Sequence, residues 1–141
     1  MAKVLEQIRN NLVAIVSLFV ALSALGYSTW RNERTEQNRN VREAGFALLA
    51  EIGSLQQIVF YAHYQPGDMR GDARMGWADV LTILDLAELM PEDVGRDARA
   101  LRETWQADWA GLGEDQDAHR RIDEAIDTAR RTTIERMRAL R

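Results

Sequence analysis

Between Asn10 and Trp30 the chain carries no charged side chain, and from Leu12 onward it is built chiefly of Leu, Val, Ile, Ala and Phe. At a rise of about 1.5 Å per residue, about 20 such residues cross a hydrocarbon core about 30 Å thick. The pattern therefore predicts a transmembrane helix over 12–30, preceded by a short tail over 1–11. A cleaved signal peptide competes with this reading, because Ala21-Leu22-Ser23 and Ala24-Leu25-Gly26 both offer the small residues of a cleavage site. Three features weigh against it. Glu6 stands among the N-terminal Lys3 and Arg9, the uncharged run outlasts either cut, and Tyr27 and Trp30 fall where an interfacial aromatic belt belongs. A buried helix of a soluble protein is the weakest of the three readings. From Tyr27 to Ala44 there is neither Pro nor Gly, so the helix is expected to run on past the membrane surface as one rod.

The remainder, 31–141, is expected to form a soluble helical domain. Apolar or small residues recur at Val41, Gly45, Leu48, Ile52, Leu55, Val59 and Ala62 in alternating steps of four and three, a seam of coiled-coil type. A second set, Phe46, Leu49, Ala50, Gly53, Phe60 and Tyr64, lies on another face of the same helix and is the candidate partner face. Pro66 and the glycines of "QPGDMRGD" then break the pattern, with Asp72 expected as the N-cap of the next helix. In that helix, "ARMGWADVLTILDLAELM", Trp77, Val80, Leu81, Leu84 and Ala87 are expected on one side, with Asp79, Thr82 and Glu88 turned away. Pro91 ends it and "PEDVG" reads as a connector. Ala98, Leu101, Trp105 and Leu112 mark a further helix stopped by Gly111 and Gly113. Asp115 caps the last, striped by Ile122, Ile126, Ala129, Thr133, Met137 and Leu140. No segment alternates with the period of a strand. The expected fold class is all-α: a single N-terminal transmembrane helix continuing into an antiparallel bundle of about four helices.

Charge refines this picture. The 141 residues have a formal net charge of −4 and a pI near 5.2, which opposes a general role on nucleic acid. Residues 79–117 hold eleven acids against three arginines, while 118–141 hold seven arginines against four acids. An acidic block followed by a basic one predicts two helices that pair with each other, rather than a basic helix lying on lipid or nucleic acid. Without cysteine, disulfides and thiolate chemistry are excluded, and the compartment stays open. On the membrane, Arg31, Arg34, Arg39 and Arg42 after the span outnumber Lys3 and Arg9 before it, so the soluble domain is expected on the cytoplasmic side.

Candidate chemistry is sparse. Asp115, His119, Asp123 and Asp127 recur every four residues on one helix face, as metal ligands could. Yet Asp115 serves better as a cap, no Glu-x-x-His motif accompanies them, and two histidines in the chain leave a shell incomplete. Tyr61, His63 and Tyr64 end a helix, where a histidine complements the carbonyl end of the dipole. Trp105 and Trp109 could wall a ligand but weigh more as core. Arg70-Gly71-Asp72 spells an adhesion tripeptide that its turn chemistry explains. Phosphate loops, nucleophile elbows and zinc helices are missing from the sequence. No cofactor, no metal and no catalytic residue is expected, and the chain is expected not to be an enzyme. The functional expectation is a single-pass membrane-anchored protein acting as an interaction, scaffold or accessory subunit. Its partners would be the lipid bilayer and a protein, or itself, through a helix face. The alternative is a membrane-anchored sensor holding a small ligand among Trp77, Trp105 and Trp109.

Overall fold

A computed structural model of the chain describes residues 2–140, with side chains from residue 11 onward apart from 13 and 34. It is 87% helix, and no strand occurs among the described residues. The helices are α1 (Ala2–Tyr64), α2 (Gly76–Ala87), α3 (Glu92–Asp108) and α4 (Gln116–Ala139), with 3₁₀ turns at Met69–Gly71 and Trp109–Gly111. By contacts the chain divides into two compact units, Met1–Gln37 and Asn38–Arg141.

The first unit is the N-terminal part of α1. Helix already begins at Ala2, within the stretch expected as a tail. Ten large apolar side chains between Leu12 and Trp30 are each more than half exposed, and the helix is long and apolar enough to cross a membrane. Tyr27 and Trp30 lie with their ring centroids 6.2 Å apart. The side chains of Lys3, Glu6, Arg9 and Arg34, and the whole of Arg141, lie outside the described residues.

The second unit is a helical bundle. Ala44, Leu48, Ile52, Leu55, Val59 and Ala62 of α1 join Val80, Ile83 and Ala87 of α2, Val94, Ala98, Leu101 and Trp105 of α3, and Ile122, Ile126 and Ala129 of α4 in one core. α4 runs opposite to both α1 and α3, as their contacts show. Along α1 and α4, Arg42 donates to the Leu140 carbonyl at 3.3 Å, Gln56 donates to Asp123 at 2.7 Å, and His63 stacks on His119. Along α3 and α4, Asp93 meets Arg136, Asp97 meets Thr132 and Asp108 meets Arg121. The acidic and basic blocks thus do pair, and Arg99 reaches back from α3 to Glu88 at the end of α2.

Local chemistry explains where the elements stop. After α1, Gln65-Pro66-Gly67-Asp68 closes a turn in which the Asp68 N–H donates to the Gln65 carbonyl at 3.0 Å and Gly67 takes φ +91°. That is the type II geometry, with Pro fixing the first central residue and Gly tolerating the left-handed second. Asp72 is not the N-cap of α2. Its carboxylate accepts from the Arg74 N–H, its own N–H closes the preceding 3₁₀ turn, and α2 starts four residues later at Gly76 with Met75 as cap. Nor is "PEDVG" a connector. Pro91 is the N-cap residue of α3, and Glu92 and Asp93 supply negative charge to its first turn, where the helix dipole favours it. Gly95 is buried inside that helix with Ala87 of α2 beside it. The buried line of α2 is Val80, Ile83 and Ala87; Leu81 faces outward at 48% exposure and Asp79 is half-buried. Asp115 caps α4 as expected, accepting from the Asp117 N–H at 2.8 Å.

Candidate interaction face

The C-terminal half of α1 is apolar on two opposite sides. With about 100° per residue, Leu48, Ile52, Leu55 and Val59 cluster on one side, and Phe46, Ala50, Gly53, Phe60 and Tyr64 fall about half a turn away. The first line is fully buried in the core. Along the second, Phe46 is 62%, Phe60 48% and Tyr64 63% exposed, Ala50 is exposed, and Leu49 is half-buried at the edge. Phe60 and Tyr64 pack ring to ring at 4.9 Å, so the C-terminal end of the strip is a preformed aromatic ridge. Gln57 also lies on this strip and was not among the expected residues. Its place was available from spacing alone, because 46, 50, 53, 57, 60 and 64 alternate steps of four and three; polarity hid it.

Gly53 sits in the middle of the strip. A Cβ built there would have no atom within 4 Å, whereas one at Gly45 would press on the Met137 thioether at 2.7 Å and one at Gly76 on the Trp105 ring. Charge avoids the strip as well. Between Ala44 and Gln65 the only charged residue is Glu51, half-buried and turned about 140° from Phe46.

The other candidates are absorbed by the fold. Trp105 is wholly buried, while Trp77 and Trp109 meet edge to face at 6.5 Å on the rim of the core. Of the aspartate and histidine row on α4, Asp115 caps the helix, Asp123 accepts from Gln56, Asp127 is exposed, and His119 stacks on His63 at 4.0 Å between centroids. Among the described residues no three potential metal ligands of His, Asp or Glu converge. Burial lowers the His119 pKa, the neighbouring His63 lowers it further, and Asp123 partly opposes them. The pair was not legible beforehand, since 63 and 119 meet only through the register of α1 against α4. In the adhesion-like tripeptide, the Arg70 guanidinium is held by Asp68 and lies 4.0 Å from the centre of the Tyr61 ring, and Asp72 is taken by Arg74. Of the basic residues of α4, Arg121 binds Asp108 in fork geometry at 2.7 and 2.8 Å, and Arg136 binds Asp93 at 2.6 Å. The groove beside them, lined by Ala100, Thr104, Ala107 and Ala125 with several charged residues, is open to solvent.

No protein-family model, no curated protein and no solved structure matches this chain.

Proposed function

We propose that the chain is a non-enzymatic, single-pass membrane-anchored helical protein that acts as an interaction, scaffold or accessory subunit. The observation that carries this reading is the strip of Phe46, Ala50, Phe60 and Tyr64, exposed around a half-buried Gly53 on the side of α1 opposite the core. A soluble monomer seldom leaves a largely apolar strip, interrupted here only by Gln57, in water, and a docked partner removes it. The anchor rests on the exposed apolar stretch from Leu12 to Trp30, which lipid would cover. The arginines at 31, 34, 39 and 42 favour a cytoplasmic bundle.

The deciding experiment expresses the full chain in cells and extracts membranes with alkaline carbonate, followed by intact-mass measurement and crosslinking. The intact chain is expected in the membrane pellet, in a crosslinked product that the double variant Phe46→Ser, Phe60→Ser loses while its circular dichroism stays helical. A soluble species starting near Ala24 or Tyr27 would refute the anchor. Unfolding of the double variant would return the strip to the core and remove the interaction reading. A cysteine at Asp117 should resist impermeant thiol reagents until lysis; labelling of intact cells would reverse the orientation.

A further inference from the structure

We infer that the outward strip of α1 docks a second copy of this chain, strip to strip, with the two helices crossing at Gly53. This rests on the reading of the strip as a docking surface and specifies what covers it. Three observations select a second copy.

The first is Gly53 itself. Glycine inside a helix is less stable than alanine, so a helical glycine needs a neighbour that a methyl group would obstruct. Gly45 and Gly76 have such neighbours within the chain; Gly53 has none, and neither has Gly26 in the apolar N-terminal stretch of α1. Open space at Gly53 leaves room for a neighbour from outside, and a bare Cα face at a helix crossing is what lets another backbone approach closely. The second observation is symmetry. Phe46 and Phe60 stand seven residues to either side of Gly53, so a two-fold axis through Gly53 sets ring against ring whether the helices run parallel or antiparallel. The third is charge. Pairing identical parallel faces brings each residue against its own copy, which penalises any charged face. Elsewhere the bundle is laced with ion pairs, yet this strip carries no charge, so it meets itself without repulsion.

Size sets the strength. Taking about 200 Å² for a whole aromatic side chain, the exposed fractions of Phe46, Phe60 and Tyr64 leave roughly 350 Å² per copy. Two copies with their small neighbours stay below the about 1,200 Å² of a stable standard interface. The pair is therefore weak when free and gains its occupancy from confinement, where effective concentration replaces contact area.

The test uses the full chain, which has no native cysteine, labelled at Glu114→Cys with donor or acceptor dye and reconstituted together in lipid vesicles at low protein density. Energy transfer should exceed the level of random encounter and fall with excess unlabelled chain. Gly53→Leu should bring it down to the random level, and Gly53→Ala should lower it while the melting temperature does not fall. Transfer at the random level for the unsubstituted chain, or undiminished transfer for Gly53→Leu, overturns the inference. If crosslinking in cells still depends on Phe46 and Phe60 when vesicle transfer is random, another protein covers the strip: the docking reading stands and the second copy is refuted. Should the chain not enter vesicles, sedimentation in solution decides. Dimers that appear as the concentration is raised to about 1 mM, the scale of effective concentration that confinement gives, and that Gly53→Leu loses, support the pair; a monomer up to that concentration refutes it.

Discussion

Leu55 and Phe60 lie five residues apart on the same helix, one with no exposed surface and the other with 48% of its surface in water. The two sides of α1 they represent have the same spacing, so spacing does not decide which one is core. Side-chain shape and the matching stripes on the other helices do. The inner line is Leu, Ile, Leu and Val, branched side chains that interdigitate with Val80, Ile83, Leu101, Ile122 and Ile126 at the density of a protein interior. The outer line sets bulky aromatics apart by Ala50, Gly53 and Gln57, and nothing in the chain fills the intervals. One apolar side of α1 is thus spent on folding, and the other is left in water.

The sharpest way to break the comparison is to damage the core. Trp105 is fully buried and touches the backbone side of Gly76, so Trp105→Ala should destabilise the bundle by about 3–5 kcal/mol, read from urea unfolding by circular dichroism. Gly76→Ala comes next. The added methyl would overlap the Trp105 ring, and overpacking of this kind costs about 1–3 kcal/mol. The same substitution at Gly53, where there is open space, should instead stabilise the isolated bundle by about 0.5–1 kcal/mol. Opposite signs for one chemical change at two helical glycines would separate the two sides of the molecule; equal signs would erase the distinction.

A smaller effect is expected from pH. His119 is held neutral by burial and by His63, so its folded pKa lies below its value in the unfolded chain. The unfolded chain therefore binds the proton first. Stability should be level above about pH 6.5 and fall as pH drops from there toward the folded value. His119→Gln should flatten that window while leaving the decline at lower pH, where Asp108, whose pKa is lowered chiefly by its hydrogen bond from Arg121, takes up its proton. A window unchanged in His119→Gln would assign the transition elsewhere.

How much was legible beforehand follows from how local each determinant is. The seam from Leu48 to Ala62 and the stripe of α4 could be read because a heptad step needs only one helix. Asp115 could be read as a cap because it bonds its own neighbour two residues on. Asp72 misled because the same Asx chemistry serves a 3₁₀ turn as well as a helix start, and Arg74 decides between them by occupying the carboxylate. Pro91 and Gly95 misled because Pro is tolerated at a helix start and Gly can be retained where helices approach closely. The face was legible as apolar. Its exposure was not, because that depends on where α2 and α4 settle against α1. The stacking of His63 on His119 is a matter of inter-helix register, which no single-helix pattern contains.

The smallest effect is expected on the outward strip. Phe46 and Phe60 each lie about half in water, so replacing both by Ser removes only part of each ring's burial, together with the Phe60–Tyr64 ring contact. The ring contact alone is worth about 0.5–1.5 kcal/mol, so the loss stays below that of the fully buried Trp105. Serine and phenylalanine have nearly equal helix propensity, so the exchange adds no helix cost of its own. The unfolding midpoint of the bundle, measured at dilution where copies are apart, should therefore move much less than for Trp105→Ala. At high density in vesicles the same variant should lose whatever stabilisation the unsubstituted chain gains from its neighbour, because ligation by a partner raises apparent stability only where the partner binds. A midpoint that falls as far at dilution as it does for Trp105→Ala would mean that the strip is packed against this chain's own residues, and the difference between the two sides of α1 would disappear.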